Sequence, residues 1–543
     1  MDSLGNRRPA VQEQDIGSYP RTTSGIPVKP AYTPDDLAGI DYGQQINDPG
    51  AFPFTRGTRG SGYRDKKWTV RQVMGLGTAE ETNQRLRYLL REGQTGISLT
   101  GMGYAPFESS DDRSLGLVGR GGVWIDTLAD MEEVFRGIDM SAVSINQTGN
   151  SIPAFCMILA AARKQGLALD QLSGTVQNYV LPWGDPPEYR GNHYIDIIEF
   201  CSNNVPRWNH SSISVRNTRE YGISAAQEMA FGLYQGFTAV EAACQRGADS
   251  NRVAARMTFF LNAENDMLEE IAKFRAMRRA WARLLRERLD VSDDRACQLR
   301  FHVQTSGVAL TAQQPINNVV RAALHTLAAV FGGAQSISVN AFDEVVSIPS
   351  ELAQTVSVRT QQIIQMESGV ANVTDPWGGS YCIEALTNEL EQAGMALFEE
   401  LRAMPAGKAW PYMSASSQDA AYERQLATDN GQRPVVGLNC FIEEDELELD
   451  FGQAGRGAPD YDPAWRDRQV ERLQRVKDER DLRQWEGARK RLVEAYRDRA
   501  PIVQPALEAA DAYMSIGEMC EALAQVNGQD ELRKRGGFVT RLY

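Results

Sequence analysis

Between about residue 60 and residue 400, short runs in which polar and apolar residues alternate recur along the chain. They are ISLT from Ile97, AVSIN from Ala142, GTVQ from Gly174, SSISV from Ser211, RMTFF from Arg256, RFHVQ from Arg300, QSISVN from Gln335 and GVANV from Gly369. Period-two alternation marks a strand whose two faces meet different surroundings. Between the runs, apolar residues fall at helical spacing, as from Leu128 to Phe135, Ala225 to Tyr234, Asn265 to Arg286 and Asn317 to Val330. Eight strands at intervals of roughly 30 to 45 residues, each followed by a helix, predict an α/β fold, a (βα)8 TIM barrel. A doubly wound sheet is the alternative.

One face of these strands is unusually polar. It carries Ser98 and Thr100, Ser144 and Asn146, Thr175 and Gln177, Ser212 and Ser214, and Ser336, Ser338 and Asn340. Two more strands place Arg256 with Thr258, and Arg300 with His302 and Gln304, on one face each. If that face looked outward, these would be solvated strand residues. Helices cover the outside of such a barrel and demand apolar contacts, so the polar face is assigned to the interior. Small hydrophilic residues there leave space and hydrogen-bonding groups for a long polar ligand along the axis.

Flanking segments divide the chain into an extended N-terminal arm (1–59), the barrel (60–450), and a linker with a helical C-terminal tail (451–543). The arm is rich in Pro, Gly, Asp and Thr, without sustained periodicity, and is read as draped over a surface, its own or a partner's. PVVGLNCFIEEDELELD closes the barrel region, and 452–459 is a Gly-rich junction. In the tail, Val470, Leu473 and Val476 fall at helical spacing on a charged, solvated segment. A second helix from about Val503 to Val526 has Leu507, Ala510, Tyr513 and Met514 on its apolar side.

A net charge of −14 on 543 residues argues against broad binding of nucleic acid or anionic membrane, and leaves room only for a local basic funnel for a phosphorylated ligand. No apolar run approaches a membrane span and the N-terminus has no signal-peptide core, so a cytoplasmic protein is expected. Seven scattered cysteines form no CxxC pair; reduced thiols and no metal site are expected.

Several long motifs carry a resemblance. WTVRQVMGLGTAEETN from Trp68, GTVQN from Gly174, VPRWN from Val205 and AKFRAMRRAWARLL from Ala272 resemble the large, acyl-CoA-binding subunit of the methylmalonyl-CoA mutase family. RFHVQTSGVALTAQ from Arg300, NNVVRAALHTLAAVFGGAQS from Asn317 and ESGVANVTDPWGGSYCIEALT from Glu367 extend it, so that it covers roughly residues 50 to 445 and, more loosely, the tail. The resemblance implies a barrel with a CoA thioester in its tunnel. Thr69, Arg71 and Gln72 match the acyl-CoA-binding motif on the first helix approach, with Tyr63 just upstream counted among the substrate-binding residues. Ser98, Ser144 and Thr148 match tunnel hydroxyls. Thr175, Gln177, Arg256, Thr258, Phe260, His302, Gln304, Gln335 and Ser336 match positions along the CoA chain or thioester. His302 and Gln304, alternating on one face, can both donate to a thioester carbonyl, while Arg71 and Arg256 offer charge to phosphates or a carboxylate. For His302 taken singly, a satisfied core histidine is the alternative.

The departures are as informative. After the fourth strand the family carries a Tyr-His pair at the substrate, and here Arg216 and Asn217 stand there; with Gln177 and His302 they are the catalytic candidates. Val73 replaces an aromatic wedge, Tyr104 lies near the place of a corrin-contacting His, and Pro187 falls where the family has a carboxylate-binding Arg, with Arg190 able to compensate. Gly121, Glu220 and Glu344 match cobalamin-side positions. The chain has no DxHxxG motif, so adenosylcobalamin would come from a separate small cobalamin-binding subunit, and a homo- or hetero-oligomer is expected. Three functions follow: carbon-skeleton isomerisation of an acyl-CoA, cobalamin-independent polar chemistry on an acyl-CoA or carrier-protein thioester, or a non-catalytic barrel paired with an active homologue.

Overall fold

The computed structural model describes residues 19–101, 106–148, 151–177, 187–346, 349–405, 407–443, 462 and 464–527, with backbone alone at 187–194 and 527. Eight parallel strands form a closed ring. β1 runs Thr69–Arg71 and Val73–Met74, interrupted at Gln72; β2 is Gly96–Leu99, β3 Ser144–Gln147 and β4 Ser173–Val176. β5 runs Trp208–Asn209 and Ser211–Ser214, interrupted at His210; β6 is Met257–Ala263, β7 Arg300–Thr305 and β8 Ser336–Ser338. The second half of β1 pairs with β2 and its first half with β8, so the sheet closes on itself. The two halves of β5 join β4 to β6 in the same way.

The alternation sorts side chains as the outward-apolar reading requires. Ile97, Leu99, Ile145, Ile213, Phe259, Leu261, Phe301, Val303 and Ile337 are all buried in the hydrophobic core with the surrounding helices. Each such side chain withdrawn from water contributes roughly 1.5–3 kcal/mol. The wrapping helices include α1 (Ala79–Arg91), α2 (Leu128–Val134), α3 (Ile152–Lys164), α4 (Pro187–Asn204), α5 (Arg216–Glu220), α6 (Ala225–Gln245), α7 (Ser250–Ala254) and α8 (Met267–Arg288). Then come α9 (Asn317–Phe331), α10 (Glu351–Met366), α11 (Tyr381–Ala403) and α12 (Ala409–Asp429).

Two elements differ from the sequence reading. GVANV from Gly369 is no strand. Gly369 adopts φ +74 and opens a short 3-10 turn at Val370–Asn372. The missing strand is β1, where Arg71 and Gln72 interrupt the apolar pattern, so Thr69, Arg71 and Gln72 lie on a strand and not on a helix approach. Arg216 and Asn217 accordingly follow the fifth strand.

Helix α8 ties the layers together with charge. Lys273 is fully buried and donates to Glu228 (2.6 Å), to the Asn262 carbonyl (2.8 Å) and to Glu270. Arg275 binds Asp375 at 2.6 Å and also Glu384. The arm is fastened to this helix: Arg278 donates to the carbonyls of Phe54 (2.9 Å) and Thr55 (2.8 Å), and Glu269 accepts from the backbone of Thr23 and Ser24. The described part of the arm therefore lies on its own barrel.

The tail packs back as α13 (Ala464–Glu479), α14 (Leu482–Arg497), α15 (Val503–Asp511) and α16 (Ile516–Asn527). The single helix expected from Val503 to Val526 is divided near Tyr513, which takes φ +56. No helix among the described residues is long and apolar enough to cross a membrane.

Candidate active site

The barrel interior holds a channel of about 240 Å³ that opens at the N-terminal ends of the strands. Its wall is the polar strand face: Thr69, Arg71, Ser144, Asn146, Thr175, Gln177, Ser212, Thr258, Phe260, His302 and Ser336, with Tyr63 and Gln335 at the entrance. Ladder register sets them side by side, Thr69 opposite Ser336, Ser336 opposite His302, and His302 opposite Phe260.

Arg71 is buried on the wall. It donates to the Ile97 carbonyl (2.8 Å), the Ser144 carbonyl (3.1 Å) and Ser144 Oγ (2.6 Å), and pairs with no carboxylate among the described residues. Burial lowers it to about 10, still charged at neutral pH. Gly96 makes its room, because a Cβ there would come within 3.1 Å of the guanidinium carbon. His302 Nδ1 meets Ser336 Oγ at 2.5 Å, and its ring packs against Phe260 with centroids 4.9 Å apart. Burial, and then the charge of Arg71, pushes its imidazole down to about 3, so it is neutral in the physiological range. In the tautomer in which Ser336 donates to Nδ1, Nε2 carries the proton and is the donor of the ring.

Other candidates divide by place. Thr175 accepts from Asn209 Nδ2 (3.0 Å), and Thr258 donates to the Ser211 carbonyl (2.8 Å). Ser98 is buried and accepts from Asn146 (2.8 Å); Thr148 donates to the Leu99 carbonyl (2.6 Å). Tyr63 donates to the Ala334 carbonyl (2.7 Å), and the Gln335 amide engages the backbone of Phe301 and Gly333. Gln72, Gln304, Gly121 and Glu344 line a second pocket, of about 200 Å³, towards the C-terminal mouth. Arg216 pairs with Glu220 at 3.4 Å and donates to Asn217 Oδ1 at 3.4 Å, and Asn217 is exposed. The structure thus sets Arg216 and Asn217 at this mouth, apart from the channel wall of Gln177 and His302. Tyr104 lies outside the described residues, as do the side chains of Pro187 and Arg190.

The sequence reading named Arg256 but missed the other cations of the entrance. Arg59, Lys66 and Lys67 line it beside Arg300, and Arg256, two residues before Thr258 on β6, is near enough for its charge to act on Arg300. None of these five cations pairs with an acid among the described residues. The cluster was visible as RGTRGSGYRDKK from Arg56, but it gains meaning only once the arm is laid across the barrel end. Asn209, also on the wall, closes the VPRWN motif but was missed as a site residue.

Comparison with known proteins gives the same direction. Residues 21–529 match the family described as methylmalonyl-CoA mutase. The chain is 38% identical to the 2-hydroxyisobutanoyl-CoA mutase large subunit of Aquincola tertiaricarbonis, over 93% of this chain and 92% of that one. It is 36% identical to a methylmalonyl-CoA mutase of Rhizobium meliloti (96% and 74%) and 34% identical to the mitochondrial methylmalonyl-CoA mutase of Homo sapiens (95% and 69%).

Proposed function

The chain belongs to the methylmalonyl-CoA mutase family, and on that premise we propose that it rearranges the carbon skeleton of a short acyl-CoA with adenosylcobalamin carried by a separate small subunit. It is an isomerase of the acyl-CoA mutase type. The observation that carries the substrate assignment is the channel. A polar axial passage leads inward from five cations without acid partners, a charge pattern suited to nucleotide phosphates with a pantetheine arm threaded behind them. At its inner part, neutral His302 orients the thioester by a hydrogen bond to its carbonyl, without transferring a proton. Gln177 is the second polar group there, and Arg71 contributes positive charge at fixed distance.

In this reading the C-terminal mouth is the face that meets the cofactor's flat macrocycle. Gly75 and Gly122 line its pocket, and with Gly101 they let the backbone segments there pack directly on one another, where an added Cβ would strike neighbouring backbone at 2.3, 2.5 and 2.6 Å respectively. Gly121 opens onto the same pocket, where Gln72 Nε2 is buried without a partner. Gly121, Glu220 and Glu344 would hold the cofactor, which when bound supplies homolytic cobalt–carbon cleavage. The barrel's own part is to exclude water and fix the migrating group. The relative named as a large subunit supports a separate partner subunit, to which this reading gives the cobalamin.

The test combines the purified chain, a candidate small cobalamin-binding protein, adenosylcobalamin and a panel of short acyl-CoAs, with products separated by liquid chromatography and identified by mass spectrometry. An isomer of unchanged mass that requires all the components is expected. A product of altered mass, formed without cobalamin, would instead assign polar chemistry to this scaffold.

A further inference from the structure

Where the tail meets the barrel, two acids are buried outside both the channel and the mouth pocket. Asp126 and Asp130 flank the start of α2, each 1% exposed. Asp126 accepts from Ser109 N (2.9 Å), Ser109 Oγ (2.6 Å) and Trp124 Nε1 (3.2 Å), and Asp130 from the backbone N–H groups of Asp126 (2.9 Å) and Thr127 (2.8 Å). One oxygen of each turns to α13, where a single amide nitrogen serves both. Gln469 Nε2 donates to Asp126 Oδ2 at 3.0 Å and to Asp130 Oδ1 at 2.9 Å, while its Oε1 is buried without a partner. The two carboxyl oxygens therefore lie within about 6 Å of each other, the range in which like charges oppose one another's ionisation.

Little positive charge relieves them. Arg472, 3.4 Å from Asp130 Oδ1, is shared with Glu80 and stands beside the like charge of Arg475. The other charges on the elements packed here are already matched: Arg468 with Glu81, Lys477 with Glu108, Arg480 with Glu518, Arg113 with Asp111, and Arg136 with Glu133, while Glu132 takes the Tyr513 hydroxyl. Fully ionised, the pair would set two buried negative charges against one shared guanidinium. Burial raises both carboxyls, and the charge of Asp126 raises Asp130 further, to about 7.

What the pair fastens is the edge of the mouth. Segment 109–126 carries Gly121 and Gly122, which line the mouth pocket, and α13 closes on it. Trp465 covers Gly77 and Gly119, where an added Cβ would come within 3.1 and 2.6 Å of the indole, and Arg466 Nε donates to Ser114 Oγ at 2.8 Å. We propose that α13 is a proton-dependent latch on the mouth: latched, Asp126 and Asp130 share one proton beneath Gln469, and its release to solvent loosens the helix and the segment that carries Gly121 and Gly122. An acid whose pKa is higher latched than free contributes stability that is full below the free value, about 4, and is lost as pH rises to the latched one, about 7. The latch belongs to this chain and does not depend on what occupies the mouth.

Hydrogen exchange of the full chain, read by mass spectrometry and corrected for intrinsic rates, follows the latch peptide by peptide. Between pH 5 and pH 8, protection in 464–479 and 109–126 should fall together by about tenfold or more while β6 and α9 change by less than about twofold, because an undocked charged helix of this length is marginal in water. Asp126→Asn and Asp130→Asn each leave a single acid, and either should hold the protection of α13 at pH 8 within about threefold of its value at pH 5. The parent chain alone can refute the latch, by protection in α13 that stays level with pH or by a fall that β6 and α9 share equally. An undiminished fall in either variant, once circular dichroism shows that variant folded, would overturn it as well.

Discussion

At the scale of single residues, His302 shows how surroundings choose between the roles open to an imidazole. A solvent-exposed histidine titrates near 6.5 and acts as an acid or base. Here burial and the nearby Arg71 guanidinium disfavour the charged form down to about 3. His302 is thus neutral from pH 8 to well below 5 and can act only as a hydrogen-bond donor or acceptor. Nitrogen-detected NMR of the imidazoles should show one ring, lost in His302→Ala, that does not protonate across this range. A midpoint near 6.5 for that ring would contradict the buried geometry. In turnover, His302→Ala should lower kcat about tenfold to a thousandfold by removing a donor to the thioester oxygen. His302→Gln, which keeps a donor near the same place, should recover part of the loss.

At the scale of elements, α8 reverses the usual reading of a charge-rich helix. Its Lys273 and Arg275 are fully buried and paired, Lys273 with Glu270 of the same helix and with Glu228, Arg275 with Asp375 and Glu384; the last three hold α6, the segment before α11 and α11 against it. Removing one partner of such a cluster leaves a charge stranded. Lys273→Met should destabilise the fold by about 3–5 kcal/mol in urea unfolding. Glu270 is already raised to about 7, chiefly by burial, and loss of its cation raises it further. A carboxyl whose folded pKa is raised contributes stability that is lost as pH rises through that value, so the penalty should be larger at pH 8 than at pH 5. A pH-independent penalty would mean that the stranded acids find another cation.

The same scale shows what was legible in the sequence. Seven of the eight strands and the inward polar face could be read, because alternation is strong wherever Ser, Thr, Asn and Gln face an axis and Ile, Val and Phe face helices. β1 was hidden by Arg71 and Gln72, which serve the ligand channel instead of the strand pattern. GVANV alternates just as well as a strand, and only Gly369 in a left-handed conformation marks it as a turn. The wall residues of the site were readable from motifs. The neutral state of His302 and the bridging of Asp126 and Asp130 by Gln469 depend on neighbours far away in sequence, and no local pattern encodes those.

At the scale of the whole molecule, the chain is acidic, at −14, yet its channel opens through unpaired arginines and lysines. A basic funnel on an acidic body concentrates anions at one place and repels them elsewhere. Arg300 is lowered to about 10, chiefly by burial and next by Arg256 and Arg59, which shows like charges crowded together with no acid to relieve them. A bound polyphosphate would relieve that crowding. CoA at a hundred times its Kd should therefore stabilise the fold by about 2.7 kcal/mol, read as a rise in Tm. Dephospho-CoA, lacking the 3′-phosphate, should stabilise less, and pantetheine alone least. Ionic strength separates charge from shape: between 0.01 M and 1 M the screening length falls from about 30 Å to about 3 Å. CoA affinity should fall tenfold or more over that range, on the order expected for partly exposed phosphate contacts, while pantetheine binding stays nearly constant. Arg59→Ala and Arg256→Ala should flatten the salt dependence of CoA binding and leave pantetheine binding unchanged. If both variants bind CoA as the parent chain does, with the same salt dependence, the phosphates lie elsewhere and this end of the barrel is not the entrance for CoA.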